Sequence, residues 1–262
     1  MDLGIVDRVA LVGGASSGLG LSVANRLASE GAHLIMWSND EATLAKEASR
    51  IEFEYGRKVT VVCADSLDPD VPERVRDAVN SRGDGIDILF LNSGGPPTAL
   101  ATATTPQGWQ QSLTLLTTTP ILIATHLLPL MRDQGWGRLV ISLSSGVREP
   151  IPDLVYSNAG RSALVGWLKT AASEVASEGV TINGVLPGRF ATQRIEALDV
   201  GRAAGVGVPV AEVKRKSIAT IPARRYGDPD EYASVVAFLC SEMASYVTGA
   251  LVPVDGGLLR GV

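Results

Sequence analysis

The chain is poor in several things that would each point to a particular class of protein. It has only two cysteines in 262 residues, Cys63 and Cys240. Two cannot make a disulfide scaffold, and both lie in apolar runs, so they read as reduced core thiols of a cytoplasmic protein. The two histidines, His33 and His126, stand far apart and read as structural, and no ligand cluster implies a metal. Aromatic residues make up 5% and form no stripe suited to base stacking. Basic charge is short as well: Lys+Arg is 23 against Asp+Glu 28, for a net charge of −5. A nucleic-acid partner is therefore not expected, because a chain that tracks phosphates carries a basic surplus. The first residues, MDLGIVDRVA, show no basic segment leading into an apolar one, so no signal peptide is expected. The longest apolar stretch, 120–131, is interrupted by His126 and Pro129 and is shorter than the roughly 20 residues that cross a bilayer, so no membrane span is expected.

What the chain does have is 45% apolar residues, ample for a sizeable core, and 19% charged residues, too few for a disordered chain. Short apolar runs recur at 8–12, 33–37, 58–63, 86–91, 137–143, 180–185 and 250–254. They are apolar throughout rather than alternating, as strands covered on both faces are. Amphipathic segments at 18–30, 40–53, 69–82, 107–134, 153–178 and 228–243 separate them. This alternation predicts an α/β chain with a Rossmann-type, doubly wound, seven-stranded parallel sheet in a single domain, residues 1–262. Ligands of such sheets bind beyond the carboxyl ends of the strands. The stretch 194–221, rich in Gly, Ala and Val, reads as a mobile lid over that edge.

The first strand runs directly into Gly13-Gly14-Ala15-Ser16-Ser17-Gly18-Leu19-Gly20, and a helix follows. Glycines at 14, 18 and 20 permit a tight turn and a close approach of backbone to a pyrophosphate, and the helix N-terminus offers free N–H groups to it. With this GxxxGxG spacing the sequence resembles the short-chain dehydrogenase/reductase family, and within it the 3-oxoacyl reductases. The resemblance covers essentially the whole chain. It extends to Asp65 and Ser66 behind the third strand, where the family's Asp contacts adenine. It also takes in Leu91-Asn92-Ser93-Gly94, in place of the usual Asn-Asn-Ala-Gly, and Asn183, Pro187-Gly188 and Thr192 around the sixth strand. The C-terminal Val254-Asp255-Gly256-Gly257 matches as well. The resemblance implies a nicotinamide dinucleotide held by Gly14, Ser16, Ser17, Gly18, Leu19, Gly20, Asp65, Ser66, Asn92, Gly94, Pro187, Gly188 and Thr192. At the end of the second strand Ser38 and Asn39 stand where NAD-selective relatives carry an acid and NADP-selective ones a base. The missing carboxylate favours NADP(H) over NAD(H) by a small margin.

The resemblance breaks at the catalytic tetrad of Asn, Ser, Tyr and Lys. In a gapless register the Ser position is Ser144, the Tyr position Ser157, the Lys position Arg161 and the Asn position Leu116. A second register puts Tyr156 at the Tyr position but brings Gly160 to the Lys position. Pairing Tyr156 with Arg161 then needs an extra residue, which turns the helix by about 100°. The expected catalytic set is thus Ser144, Tyr156, Ser157 and Arg161, with Tyr156 as the available acid and Arg161 replacing Lys at the ribose and the oxyanion. Pro120, four residues after Leu116, removes the helical partner of the Leu116 carbonyl. Arg148, Glu149, Asp153 and Arg189 fall near the same edge, and Arg148 or Arg189 would suit a substrate carboxylate.

The implied function is hydride transfer between nicotinamide and a small carbonyl or alcohol substrate. Two alternatives remain open: a catalytically degenerate dinucleotide-binding sensor or partner subunit, and an isomerase or dehydratase using the same pocket. Segments 107–134 and 153–178 carry apolar residues on more than one face, so a homodimer or homotetramer is expected.

Overall fold

The predicted strands appear in the computed structural model, which describes residues 2–261. They are β1 (Val9–Gly13), β2 (His33–Ser38), β3 (Val59–Cys63), β4 (Ile88–Leu91), β5 (Gly137–Ser142), β6 (Val180–Pro187) and β7 (Leu251–Val254). They form one sheet in the order β3-β2-β1-β4-β5-β6-β7, every pair parallel. The order reverses between β1 and β4, and the crevice at the carboxyl ends there is where such a sheet binds ligands.

Successive strand residues face opposite layers. Leu11, Leu89, Leu139 and Ile182 pack on one side beneath α3 (Val71–Arg82), α5 (Thr119–Asp133) and α6 (Val155–Val175). Ala10, Val12, Phe90 and Val140 pack on the other beneath α1 (Gly18–Ser29), α2 (Glu41–Tyr55) and α9 (Pro229–Leu239). Burial on both faces is why the strands lack polar alternation. Cys240 lies fully inside, where burial pushes its thiol up to about 12. Cys63, expected in the core, sits half-buried at the strand end instead.

The segment 107–134 is not one helix. It divides into α4 (Pro106–Leu113), a π-helical turn over Thr114–Thr118, and α5. The Thr119 N–H bonds to the Thr114 carbonyl, five residues back. Pro120 has no N–H to give and its ring crowds the preceding turn, and the helix widens by one residue there. Taken together, 106–133 is long and apolar enough to cross a membrane by length and composition. Its Ile123, Leu127 and Met131, however, are fully buried against the sheet.

The stretch 194–221 is helical: α7 (Gln193–Val206) and α8 (Val210–Thr220). Thr192 caps the first, accepting from the Ile195 N–H, and Gly207 in the left-handed region ends it. The last long helix is shorter than expected. A capping box of Asp228 and Glu231 starts α9, which ends before Cys240.

Asn183, wholly buried in β6, ties the strand to the C-terminal segment. Its Nδ2 donates to the Val247 carbonyl at 2.7 Å and its Oδ1 accepts from the Ala250 N–H at 3.0 Å. Asn183→Ala strands both backbone groups, and urea denaturation should show a loss of about 1–3 kcal/mol. An unchanged midpoint would mean that the segment is held by other contacts.

Candidate active site

The glycine-rich turn joins β1 to α1 as the sequence requires. Gly18 has φ +56°, a conformation that suits glycine, and a Cβ there would meet only the Thr192 methyl at 3.7 Å. A side chain would fill this open cradle, which lies against the N-terminus of α1. A Cβ on Gly20 would strike the Gly14 carbonyl, so that residue must be glycine for packing. Ser17 caps α1 without a side-chain bond, which leaves its hydroxyl available, and Leu19 packs onto the core below. Asn92, after β4, donates to the Gly13 carbonyl at 3.3 Å and so joins the two strand ends on either side of the reversal. Gly94 has open space around it. Pro187 ends β6, and the Gly188 N–H bonds to the Val254 carbonyl at 2.9 Å. These backbone features fit a dinucleotide diphosphate, with room where side chains would obstruct it.

At the adenosine end, Ser38 is buried at the tip of β2, 2.8 Å from the Ser16 hydroxyl. Asn39 is exposed, and Asp40 turns away to cap α2 through the Thr43 N–H at 3.1 Å. Asp65 is exposed, and its Oδ1 accepts from the Leu67 N–H at 2.9 Å, leaving Oδ2 free to accept. The Ser66 carbonyl accepts from the Thr119 hydroxyl at 2.9 Å, anchoring this loop on α5.

The helix α6 distributes the catalytic candidates. Ser144, two residues beyond the end of β5, is half-buried, and its Oγ accepts from the Gly146 N–H at 3.0 Å, so its own proton is free to donate. Ser157 is buried, and its hydroxyl has no hydrogen-bond partner among the described residues. Arg161, one turn on, keeps only 8% of its surface exposed. Its Nη1 donates to the Ser142 carbonyl at 2.5 Å. Burial lowers the guanidinium to about 10, the nearby Tyr232 phenol opposing and the Arg194 charge adding to the shift. It remains a cation at neutral pH. Arg161 thus reaches the carboxyl end of β5, beyond which Ser144 lies, and Ser157 stands one helical turn before Arg161 on the same face of α6.

Tyr156, expected as the acid, directs its side chain toward α4. Its hydroxyl accepts from the Thr105 N–H at 2.9 Å, at the start of α4. Its ring stands edge-on to Trp109 at 4.9 Å, and the side chain is 4% exposed. The reason is helix phase: one residue from Ser157 is about 100° around α6, which aims Tyr156 at α4 and not at the strand end. Leu116 packs against Gly160 on the same flank, and Thr117 donates to the Gly160 carbonyl at 2.9 Å. The π turn of Leu116 and Thr117 therefore belongs to this contact.

Of the loop charges, Arg189 pairs with Asp199 at 3.1 Å, while Arg148 donates to the Leu251 carbonyl at 3.3 Å and makes no ion pair among the described residues. Three residues escaped the sequence reading. Tyr232, buried in α9, donates to the Ser142 hydroxyl at 3.0 Å beneath Arg161. Ser142 itself supplies the carbonyl that anchors the guanidinium. Arg194, in the first turn of α7, donates to the Pro96 carbonyl at 3.1 Å across the site. Its place two residues after Thr192 was the available signal.

Because the Tyr156 phenol lies outside the site, Tyr156→Phe should leave turnover within a few-fold of wild type. Removal of the Thr105 acceptor should lower stability by about 1 kcal/mol. A loss of turnover of about 10²–10⁴-fold would instead place the phenol in the reaction.

A family model described as enoyl-(acyl carrier protein) reductase matches residues 14–259. The chain is 32% identical to the 3-oxoacyl-[acyl-carrier-protein] reductase of Aquifex aeolicus, covering 98% of this chain and 100% of that protein. It is 33% identical to dehydrogenase/reductase SDR family member 4 of Sus scrofa over 96% of this chain and 87% of that one. Among solved structures, L-sorbose reductase from Gluconobacter frateurii, complexed with NADPH and L-sorbose, superposes with a TM-score of 0.95 at 30% identity, covering 100% of both chains. With its sheet order, its glycine turn and its strand-end loops, the chain belongs to the short-chain dehydrogenase/reductase family.

Proposed function

We propose that this NAD(P)-dependent oxidoreductase uses NADP(H) and works on a small carbonyl or alcohol substrate with Ser144 and Arg161 at the reacting oxygen. The observation that carries the reading is the buried Arg161 guanidinium, held to the Ser142 carbonyl two residues before Ser144. Nicotinamide, when bound, supplies or accepts the hydride.

The chain's own residues do the rest. The turn from Gly14 through Ser16, Ser17, Gly18 and Leu19 to Gly20 cradles the diphosphate. Asn92, Gly94, Pro187, Gly188 and Thr192 line the nicotinamide side. Asp65 takes the adenine amino group on its free oxygen, with Ser66 behind it. Ser16, Ser38 and Asn39 donate hydrogen bonds near the adenosine ribose. With no carboxylate at position 38, a 2′-phosphate meets no repulsion there, which supports NADP(H) over NAD(H). Ser144 donates to the substrate oxygen, and Arg161 stabilises negative charge as it develops, in a site where fixed charge acts strongly. Ser157 is a weak acid and the Tyr156 phenol is engaged elsewhere, so water delivers the proton. The helices α7 and α8 form the lid.

The same reading places the protein in the cytoplasm, as a homodimer or homotetramer. Leu113 and Leu122, at the outer faces of α4 and α5, remain exposed and suit a second copy.

The test is NADPH oxidation against a panel of ketones and aldehydes, followed by absorbance. Wild type should turn over at least one of them, and NADPH should outperform NADH. Arg161→Ala should weaken NADPH binding and turnover each by at least tenfold, about 1.4 kcal/mol. Tight NADPH binding with no turnover of any carbonyl would replace the proposal with that of a dinucleotide-binding partner subunit.

A further inference from the structure

Cations gather at this site without matching carboxylates. Arg161 makes no ion pair among the described residues, although it is nearly buried. Arg194 approaches it from the opposite wall. Its Nη2 donates to the Pro96 carbonyl at 3.1 Å, and a Cβ on Gly95 would lie 2.5 Å from the same nitrogen, so the guanidinium rests on the loop after β4. Arg194 also makes no ion pair among the described residues, and it stays accessible to solvent. The charge of Arg194 acts on Arg161.

The nearby acids are turned elsewhere. Asp199, 2% exposed, has both oxygens occupied, one by Arg189 at 3.1 Å and the other by the Tyr226 hydroxyl at 2.6 Å. Asp153 and Asp199 act on Arg202, two turns further along α7. Two guanidinium groups that repel each other, one of them desolvated, raise the energy of the site until an anion joins them. Ser144, beyond the strand end that Arg161 reaches, has a hydroxyl proton to give.

We propose that the carbonyl substrate carries a carboxylate, as an oxo acid in one direction and a hydroxy acid in the other. Arg194 holds the carboxylate, and Arg161 with Ser144 faces the reacting oxygen. This rests on the hydride-transfer reading above. In the reducing direction a hydride from NADPH forms the new C–H bond at the carbonyl carbon. The C=O π pair moves to oxygen, the alkoxide takes a proton from water, and NADP⁺ leaves. A planar guanidinium suits the carboxylate, since it presents two parallel N–H donors. The dinucleotide diphosphate is the other anion within reach, because Thr192, which begins α7, borders the Gly18 cradle.

The decisive comparison is kcat/KM for short 2-oxo and 3-oxo acids against their methyl esters, in wild type, Arg194→Gln and Arg194→Lys. Wild type should favour an acid over its ester by at least tenfold, about 1.4 kcal/mol. Arg194→Gln should erase that preference through the KM of the acid, and Arg194→Lys should keep part of it. Equal or better use of the ester by wild type overturns the proposal. So does an Arg194→Gln effect confined to the NADPH dissociation constant, which assigns the group to the diphosphate. Calorimetry of butyrate and butyramide with the NADP⁺ complex separates this proposal from the reading beneath it. Butyrate binding that is lost in Arg194→Gln upholds the carboxylate site even where no hydride moves. No preference for butyrate over butyramide overturns it.

Discussion

The hydrogen bond from Arg161 to the Ser142 carbonyl fixes a positive charge at the carboxyl end of β5. Everything proposed for the site depends on that placement. A second buried arginine shows what a purely structural one looks like. Arg138 donates to the carbonyls of Ser241, Gly137 and Gly179 at 3.0, 2.9 and 3.2 Å, and its guanidinium lies 4.4 Å from the Trp136 ring. Arg161 has one protein acceptor and no ring. The other guanidinium donors of Arg161 have no protein partner among the described residues and are open to a ligand.

The phase of α6 determines what surrounds that charge. Tyr156 and Gly160 face α4 and the π turn. Ser157 and Arg161 face the strand end. Asn158 faces the preceding loop, accepting from the Ile151 N–H at 3.3 Å and donating to its carbonyl at 2.9 Å. A change of one position along the helix separates a phenol packed against α4 from the Ser157 hydroxyl. The chain places the Tyr156 side chain in a different environment from its neighbour Ser157. The lost acid and the gained guanidinium fit together chemically. A permanent cation stabilises an oxyanion but gives up its own proton poorly, and in the proposed reaction water supplies it.

Much of this was legible in the residues. The strands were marked by runs such as Leu34-Ile35-Met36 and Ile88-Leu89-Phe90, because strands covered on both faces need apolar residues throughout. The spacing of Ser157 and Arg161 puts both on one face of α6, because helix geometry sets it, and Arg161 reaches the end of β5. The direction of Tyr156 was not legible, since it depends on the packing of α6 against α4, which contacts distant in sequence decide. The π turn was hidden for a similar reason. Pro120 announced a disturbance, but a kink and a widened turn relieve it equally well. Arg194 was masked by its setting, a stretch of small residues whose helices show little apolar periodicity. Only the fold brings it across from Arg161.

The central claim is that Arg161 is buried for the reaction and not for the fold. Arg161→Met keeps much of the side-chain volume and removes the charge, so denaturant unfolding of the cofactor-free protein tests the claim directly. Replacing a buried, poorly compensated charge by an apolar group of similar size is often neutral or stabilising. The account predicts a variant at least as stable as wild type, with hydride transfer lost. A variant destabilised by about 3–5 kcal/mol, as when one partner of a buried pair is removed, would contradict it.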